Sequence, residues 1–87
     1  MPDDDLRDPR VTVIYGLDTC EDTTRARERF DEAGRAFRYV RLDREPGIKT
    51  RLHARGLTST PVVVTPAGTI AMEPSDEELA TIIAATA

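Results

Sequence analysis

The chain has 87 residues, 39 % of them hydrophobic and 32 % charged, with one cysteine and a formal net charge of −4. A second hydrophobic core would need roughly 50 further residues, so this length holds one domain. No apolar run approaches the roughly 18 residues of a membrane span, and the acidic balance argues against non-specific nucleic-acid binding. Met1 to Arg10 carries Asp3, Asp4, Asp5 and Asp8 and no apolar stretch. It reads as a disordered, solvated tail and not as a secretory signal, which leaves 11–87 as the folded domain and the cytoplasm as the expected compartment.

Val11-Thr-Val-Ile-Tyr15 is a β-branched and aromatic run ended by Gly16, which predicts a buried first strand. Ala26, Phe30 and Ala33 then recur at i, i+4 and i+7 among charged residues, and Gly34 follows, so a helix is expected over about Thr23 to Ala33. Phe37, Tyr39, Val40 and Leu42 mark a second strand, with Arg38 and Arg41 facing solvent. Ile48 and Leu52 give a short helical stripe between Gly47 and Arg55, closed by Gly56. Pro61 to Thr65 and Thr69 to Met72 read as a hairpin around the turn Pro66-Ala-Gly68. Ser75-Asp-Glu-Glu78 has the spacing of a capping box, in which the Ser hydroxyl and the Glu carboxylate each satisfy a free amide at a helix start. Leu79, Ile82 and Ile83 supply the buried face of that last helix. The order βαβαββα is an α/β pattern, and the handedness of crossover connections makes the first two strands parallel if they share a sheet.

Cys20 stands where a strand gives way to a helix, so its sulfur faces unpaired amides and the positive end of the helix dipole. Such a place favours a thiolate; a lone cysteine is otherwise a buried, inert filler. Arg25 is placed to support the anion, whereas Asp18, Glu21 and Asp22 oppose it. Thr60-Pro61 opens a strand and is either a cis bond, turning Thr60 backbone groups outward, or an ordinary trans edge proline. Ser75 and Asp76 either only cap the last helix or also present free amides to a ligand carboxylate. His53, between Arg51 and Arg55, reads as solvent-facing, and one cysteine with one histidine gives no metal-ligand spacing.

The sequence Val11-Thr-Val-Ile-Tyr-Gly16, with Cys20 shortly after it, Ser59-Thr-Pro61, and Pro74-Ser-Asp76 together resemble a glutaredoxin over nearly everything after residue 10. Thr60 to Thr69 and Glu73 to Leu79 are most similar to mycoredoxins and NrdH-type redoxins. The resemblance implies a thioredoxin fold, a four-stranded mixed sheet flanked by helices, with a cis-proline at Pro61. It further implies Cys20 as nucleophile, the Thr60 backbone as clamp for a substrate thiol, and Ser75 with Asp76 as anchor for the carboxylate end of a small thiol. The family's Cys-x-x-Cys stands here as Cys20-Glu-Asp-Thr23, so a dithiol cycle is impossible and Thr23 is left as a hydrogen-bond donor to the thiolate. Leu17-Asp18-Thr19 replace the family's lysine, proline and aromatic residue, and the Cys-Gly-Phe-Ser motif of cluster-binding members is absent.

The expected function is that of a monothiol, glutaredoxin-like thiol–disulfide oxidoreductase acting on mixed disulfides between proteins and a low-molecular-weight thiol. Mycothiol or glutathione would be co-substrate, with no tightly bound cofactor or metal, no nucleic-acid or membrane partner, and a monomeric state. A redox-inactive thioredoxin-fold module, binding or accessory, is the alternative. An arsenate-reductase-like enzyme shares the strand–cysteine–helix start, but Glu21 and Asp22 have the wrong charge for an oxyanion site.

Overall fold

Residues 6–86 are described by a computed structural model. The chain runs β1 (Thr12–Gly16), α1 (Glu21–Glu32), β2 (Phe37–Arg41), α2 (Pro46–Ala54), β3 (Val62–Val64), β4 (Ile70–Met72) and α3 (Asp76–Ala85). The strands form one mixed sheet in the order β2-β1-β3-β4, with β1 parallel to β2 and antiparallel to β3, and β3 antiparallel to β4. All five residues of β1 are buried, which suits an inner strand covered on both faces, whereas β2 at the edge is only partly covered.

Strand side chains alternate between faces, and this sorts the core into two layers. Ile14 and Val63 point to one side, where Ala26 and Phe30 of α1 and Leu79 and Ile82 of α3 cover them. The rings of Phe30 and Phe37 meet edge to face there, 5.8 Å apart at 70°. Val13, Tyr15, Val62 and Val64 point to the other side, against Leu42, Leu52 of α2, and Leu6.

Strand ends fall within a residue of those expected, and two larger differences bear on the site and the core. Helix α1 starts at Glu21 and not at Thr23, because Cys20 itself is the N-cap, with an extended backbone at φ −90° and ψ 118°. Glu21 and Asp22 thereby fall in the first turn, where the helix dipole favours acidic groups. The acidic tail expected over 1–10 lies outside the described residues as far as residue 5; of the rest, Leu6 is buried and Arg7 and Asp8 are partly buried, while Pro9 and Arg10 are exposed. Leu6 is 2 % exposed and joins the core, its carbonyl accepts the buried Tyr15 hydroxyl at 2.6 Å, and Asp8 bridges to Val11. The packed domain therefore includes Leu6. The nine-residue α2 is short for the face it covers, and a buried Tyr15 hydroxyl needs an acceptor; the segment around Leu6 supplies both cover and acceptor.

Candidate active site

The antiparallel pairing of β1 with β3 sets Tyr15 opposite Val62, so the residues just after β1 lie beside those just before β3. That register brings Cys20 and Thr60 together across 40 positions of sequence. The Thr60–Pro61 peptide is cis. The Thr60 hydroxyl donates to Cys20 Sγ at 3.3 Å, and the Cys20 thiol donates to the Thr60 carbonyl at 3.7 Å.

The turn that carries Cys20 is closed by its own amide, which donates to Leu17 O at 3.1 Å. Beneath it Thr23 is fully buried and its hydroxyl accepts from the Leu17 amide at 3.5 Å. Thr23 is packed so closely on β1 that a Cβ at Gly16 would run into its Oγ1 and Cγ2. Glycine at 16 is thus what lets α1 begin where it does.

Cys20 is partly exposed and free. Burial pushes its thiol pKa up, but the hydrogen bond from the Thr60 hydroxyl, and then the Thr23 hydroxyl and the Thr23 and Asp22 amides turned toward the sulfur, pull it down further, leaving it below the ordinary thiol value. Cys20 makes no capping hydrogen bond with its side chain; the first-turn amides are left to favour its anion.

Two of the three opposing acidic groups, Asp18 and Asp22, are engaged by other side chains. Asp18 accepts the Tyr39 hydroxyl at 2.7 Å and lies 3.5 Å from Arg41 and 3.9 Å from Arg27. The Arg27 guanidinium also sits 3.9 Å over the Tyr39 ring. Partial burial, and then the Asp18 carboxylate, push the Tyr39 pKa up to about 12. Asp22 pairs with Arg25 at 2.7 Å, and Arg25 also reaches Asp76 at 3.1 Å. Arg25 is therefore tied between two carboxylates and is no free cation for the thiolate, contrary to the expectation from its place in the helix.

Cys20 and Thr60 open into a groove of about 390 Å³ lined also by Leu17, Lys49, His53 and Glu73. His53 is exposed, as expected, yet it is on the groove wall. Lys49 and His53 stand at i and i+4 on α2 and share a face, a spacing visible in the sequence that could have marked them as a pair. Glu73 has a φ of 50°, in the left-handed region, and its amide donates to Pro61 O at 2.7 Å. No sequence signal marks Glu73 for this place.

Ser75 and Asp76 stand apart from that groove lining. The capping box forms: Ser75 Oγ accepts from Glu78 N at 3.1 Å and Glu78 Oε1 accepts from Ser75 N at 2.8 Å. The Asp76 carboxylate is taken by Arg25 and by Arg29 at 3.2 Å. The Asp76 carboxylate is thus occupied within the protein, whereas the Ser75 hydroxyl, which only accepts in the box, keeps its O–H and stands with the first-turn backbone amides as a donor for a ligand.

A model of the glutaredoxin family matches residues 12–67, more than half of the chain. Among solved structures, the crystal structure of a glutaredoxin from Archaeoglobus fulgidus is similar, with 26 % identity and a TM-score of 0.72, covering 83 % of this chain and 84 % of that one. No curated protein matches significantly. The sheet order, the helices on its two faces and this structural likeness agree on a thioredoxin fold. The chain belongs to the glutaredoxin family, a family of thiol oxidoreductase type, and Cys20 is the one sulfhydryl it has for that chemistry.

Proposed function

We propose that the protein is a monothiol thiol–disulfide oxidoreductase that acts on mixed disulfides between proteins and a low-molecular-weight thiol. The observation that carries this reading is the Cys20 sulfur itself, partly exposed at an uncapped helix start, held by the Thr60 hydroxyl at 3.3 Å and open to a groove. In the first half-reaction the Cys20 thiolate attacks the small-thiol sulfur of the mixed disulfide; a new S–S bond forms and the protein substrate leaves as thiolate, taking a proton from water. In the second, a further molecule of the small thiol, as thiolate, attacks the sulfur of its own kind in the adduct. The symmetric small disulfide departs and Cys20 returns as thiolate. No electrons are gained or lost by the enzyme over the cycle, so one cysteine suffices.

The Thr60 backbone serves as the clamp for the substrate's thiol residue, and Ser75 with Asp76, through the Ser75 hydroxyl and the first-turn amide of Asp76, which has no intrahelical partner, anchors its carboxylate end. Lys49 and Glu73 give the groove both signs of charge, which suits a zwitterionic thiol such as glutathione. No tightly bound cofactor is needed, and the cytoplasm, where thiols are kept reduced, is the matching compartment.

The test is the rate of Cys20 alkylation against pH, with Cys20→Ser as blank, followed by mass spectrometry after incubation with oxidised glutathione or the disulfide of mycothiol. A midpoint below about 7.5 and a stable one-to-one adduct are expected. A midpoint at or above about 8.5 with no adduct would leave a glutaredoxin-shaped binding module instead.

A further inference from the structure

We propose that the hydroxyl of Thr60, more than that of Thr23 in the Cys-x-x-Thr motif, is the catalytic donor to the Cys20 thiolate, and that it serves chiefly to make Cys20 a good leaving group. The second clause rests on the monothiol cycle proposed above; the first does not.

The two threonines reach the sulfur from different parts of the fold and under different constraints. Thr23 is fully buried, its oxygen accepts the Leu17 amide, and its methyl and hydroxyl are wedged against Gly16. Its position is set by packing. Thr60 is partly exposed on the groove wall, and its hydroxyl is directed at Sγ at 3.3 Å. A hydroxyl rotor of that kind can follow the sulfur through a reaction. Its hydrogen bond is also differential: it is strong to a thiolate, which only accepts, and weak to the neutral sulfur of a mixed disulfide. The amides of the first turn act in the same sense, but every helix start supplies them, whereas a hydroxyl at position 60 is a choice of side chain.

A donor that stabilises the thiolate affects the two half-reactions in opposite directions. A less basic thiolate is a weaker nucleophile, with rate following basicity to a power of about 0.4–0.5, and a better leaving group. Attack by Cys20 on a disulfide breaks the bond to another thiol, so there the hydrogen bond costs some nucleophilicity once the sulfur is ionised. Release breaks the S–S bond to Cys20, whose sulfur takes the electron pair, and there the same hydrogen bond lowers the barrier. Without a second cysteine at position 23, release depends wholly on an external thiol. The Thr60 donor assists the step for which this chain has no resolving group of its own.

The experiment compares wild type with Thr60→Val, Thr60→Ser and Thr23→Val, each checked for fold by circular dichroism. The Cys20 midpoint is read from thiolate ultraviolet absorbance. Attack is followed with bis(hydroxyethyl) disulfide, and release from the preformed hydroxyethyl adduct with mercaptoethanol, both at a pH above every midpoint. Loss of one hydrogen bond to an ionised sulfur in Thr60→Val raises the midpoint by about one pH unit, speeds attack about threefold and slows release several-fold. Thr60→Ser restores all three values, and Thr23→Val moves the midpoint less than Thr60→Val. An unmoved midpoint in Thr60→Val, a larger shift in Thr23→Val, or a fall of both rates together would overturn the proposal. Should Thr60→Val lose its fold, Thr60→Ala supplies the same comparison without a β-branch. The probes are small and uncharged, so the outcome does not depend on groove recognition. The midpoint reports on Thr60 even if the protein proves inactive on protein mixed disulfides.

Discussion

Helices α1 and α3 both begin beside the same face of the sheet, and their first turns are finished in opposite ways. At α3 the Ser75 hydroxyl and the Glu78 carboxylate close a reciprocal capping box, and the Asp76 side chain is locked to two arginines. At α1 the N-cap is Cys20, which makes no side-chain capping bond, and the first-turn amides are left facing a sulfur. One helix start uses its polar groups to hold the fold, and the other leaves them open to stabilise an anion. A helix N-terminus is a source of positive potential in either case; whether it serves stability or chemistry depends on what side chain stands at the cap.

The largest expected effect comes from exchanging the character of the α1 cap. Cys20→Ser removes all thiol exchange, and because serine is among the preferred N-caps it raises folding stability by about 0.5–1 kcal/mol, measured by urea denaturation. The pH dependence separates the two proteins further. The Cys20 pKa is lowered in the folded state, so its contribution to stability is fully present above the unfolded thiol value and is lost as pH falls through the folded value. Wild type therefore gains stability between those two pH values, and Cys20→Ser shows no such rise; equal slopes for both would mean that α1 does not favour the anion.

Gly16→Ala tests the plug beneath the open cap. The added Cβ enters the space of Thr23, which costs about 1–3 kcal/mol of stability by overpacking and pushes the start of α1 away from Thr60. Slower alkylation of Cys20 at neutral pH should accompany the lost stability. Stability lost with alkylation unchanged would show that the sulfur is positioned independently of Thr23.

The smallest effect is at the closed cap. Ser75→Ala breaks the reciprocal pair and costs about 1 kcal/mol, read from the denaturation midpoint, while the Cys20 titration stays where it was. A shift of that titration would mean that the two helix starts are coupled, with the Arg25 bridge between Asp22 and Asp76 as the route.

Much of the α/β order was legible because local rules decide it. The β-branched runs at 11–15 and 61–65, the spacing of Ala26 and Phe30, and the Ser75-x-x-Glu78 pair act through neighbours within one or two turns. The position of Cys20 at a helix start was legible for the same reason. The start of α1 was placed two residues late because no apolar residue precedes Ala26 in that helix. Leu6 was assigned to a solvated tail because one leucine among aspartates carries no periodic signal, and only the sheet face under it gives it somewhere to go.

The sequence by itself determined the strand and helix order, the family resemblance and the absence of a resolving cysteine, since these depend on residue type and short spacing. The tertiary structure alone decided what surrounds the sulfur. Antiparallel pairing of β1 with β3 carries Thr60 to within 3.3 Å of Cys20 from 40 residues away. Helix α2 brings Lys49 and His53 to the same groove, and arginines from α1 and β2 engage Asp18 and Asp22, two of the carboxylates that otherwise oppose a thiolate. Each is a long-range meeting of side chains, and long-range meetings are fixed by strand register and by the packing of helices on the sheet, which no local pattern encodes.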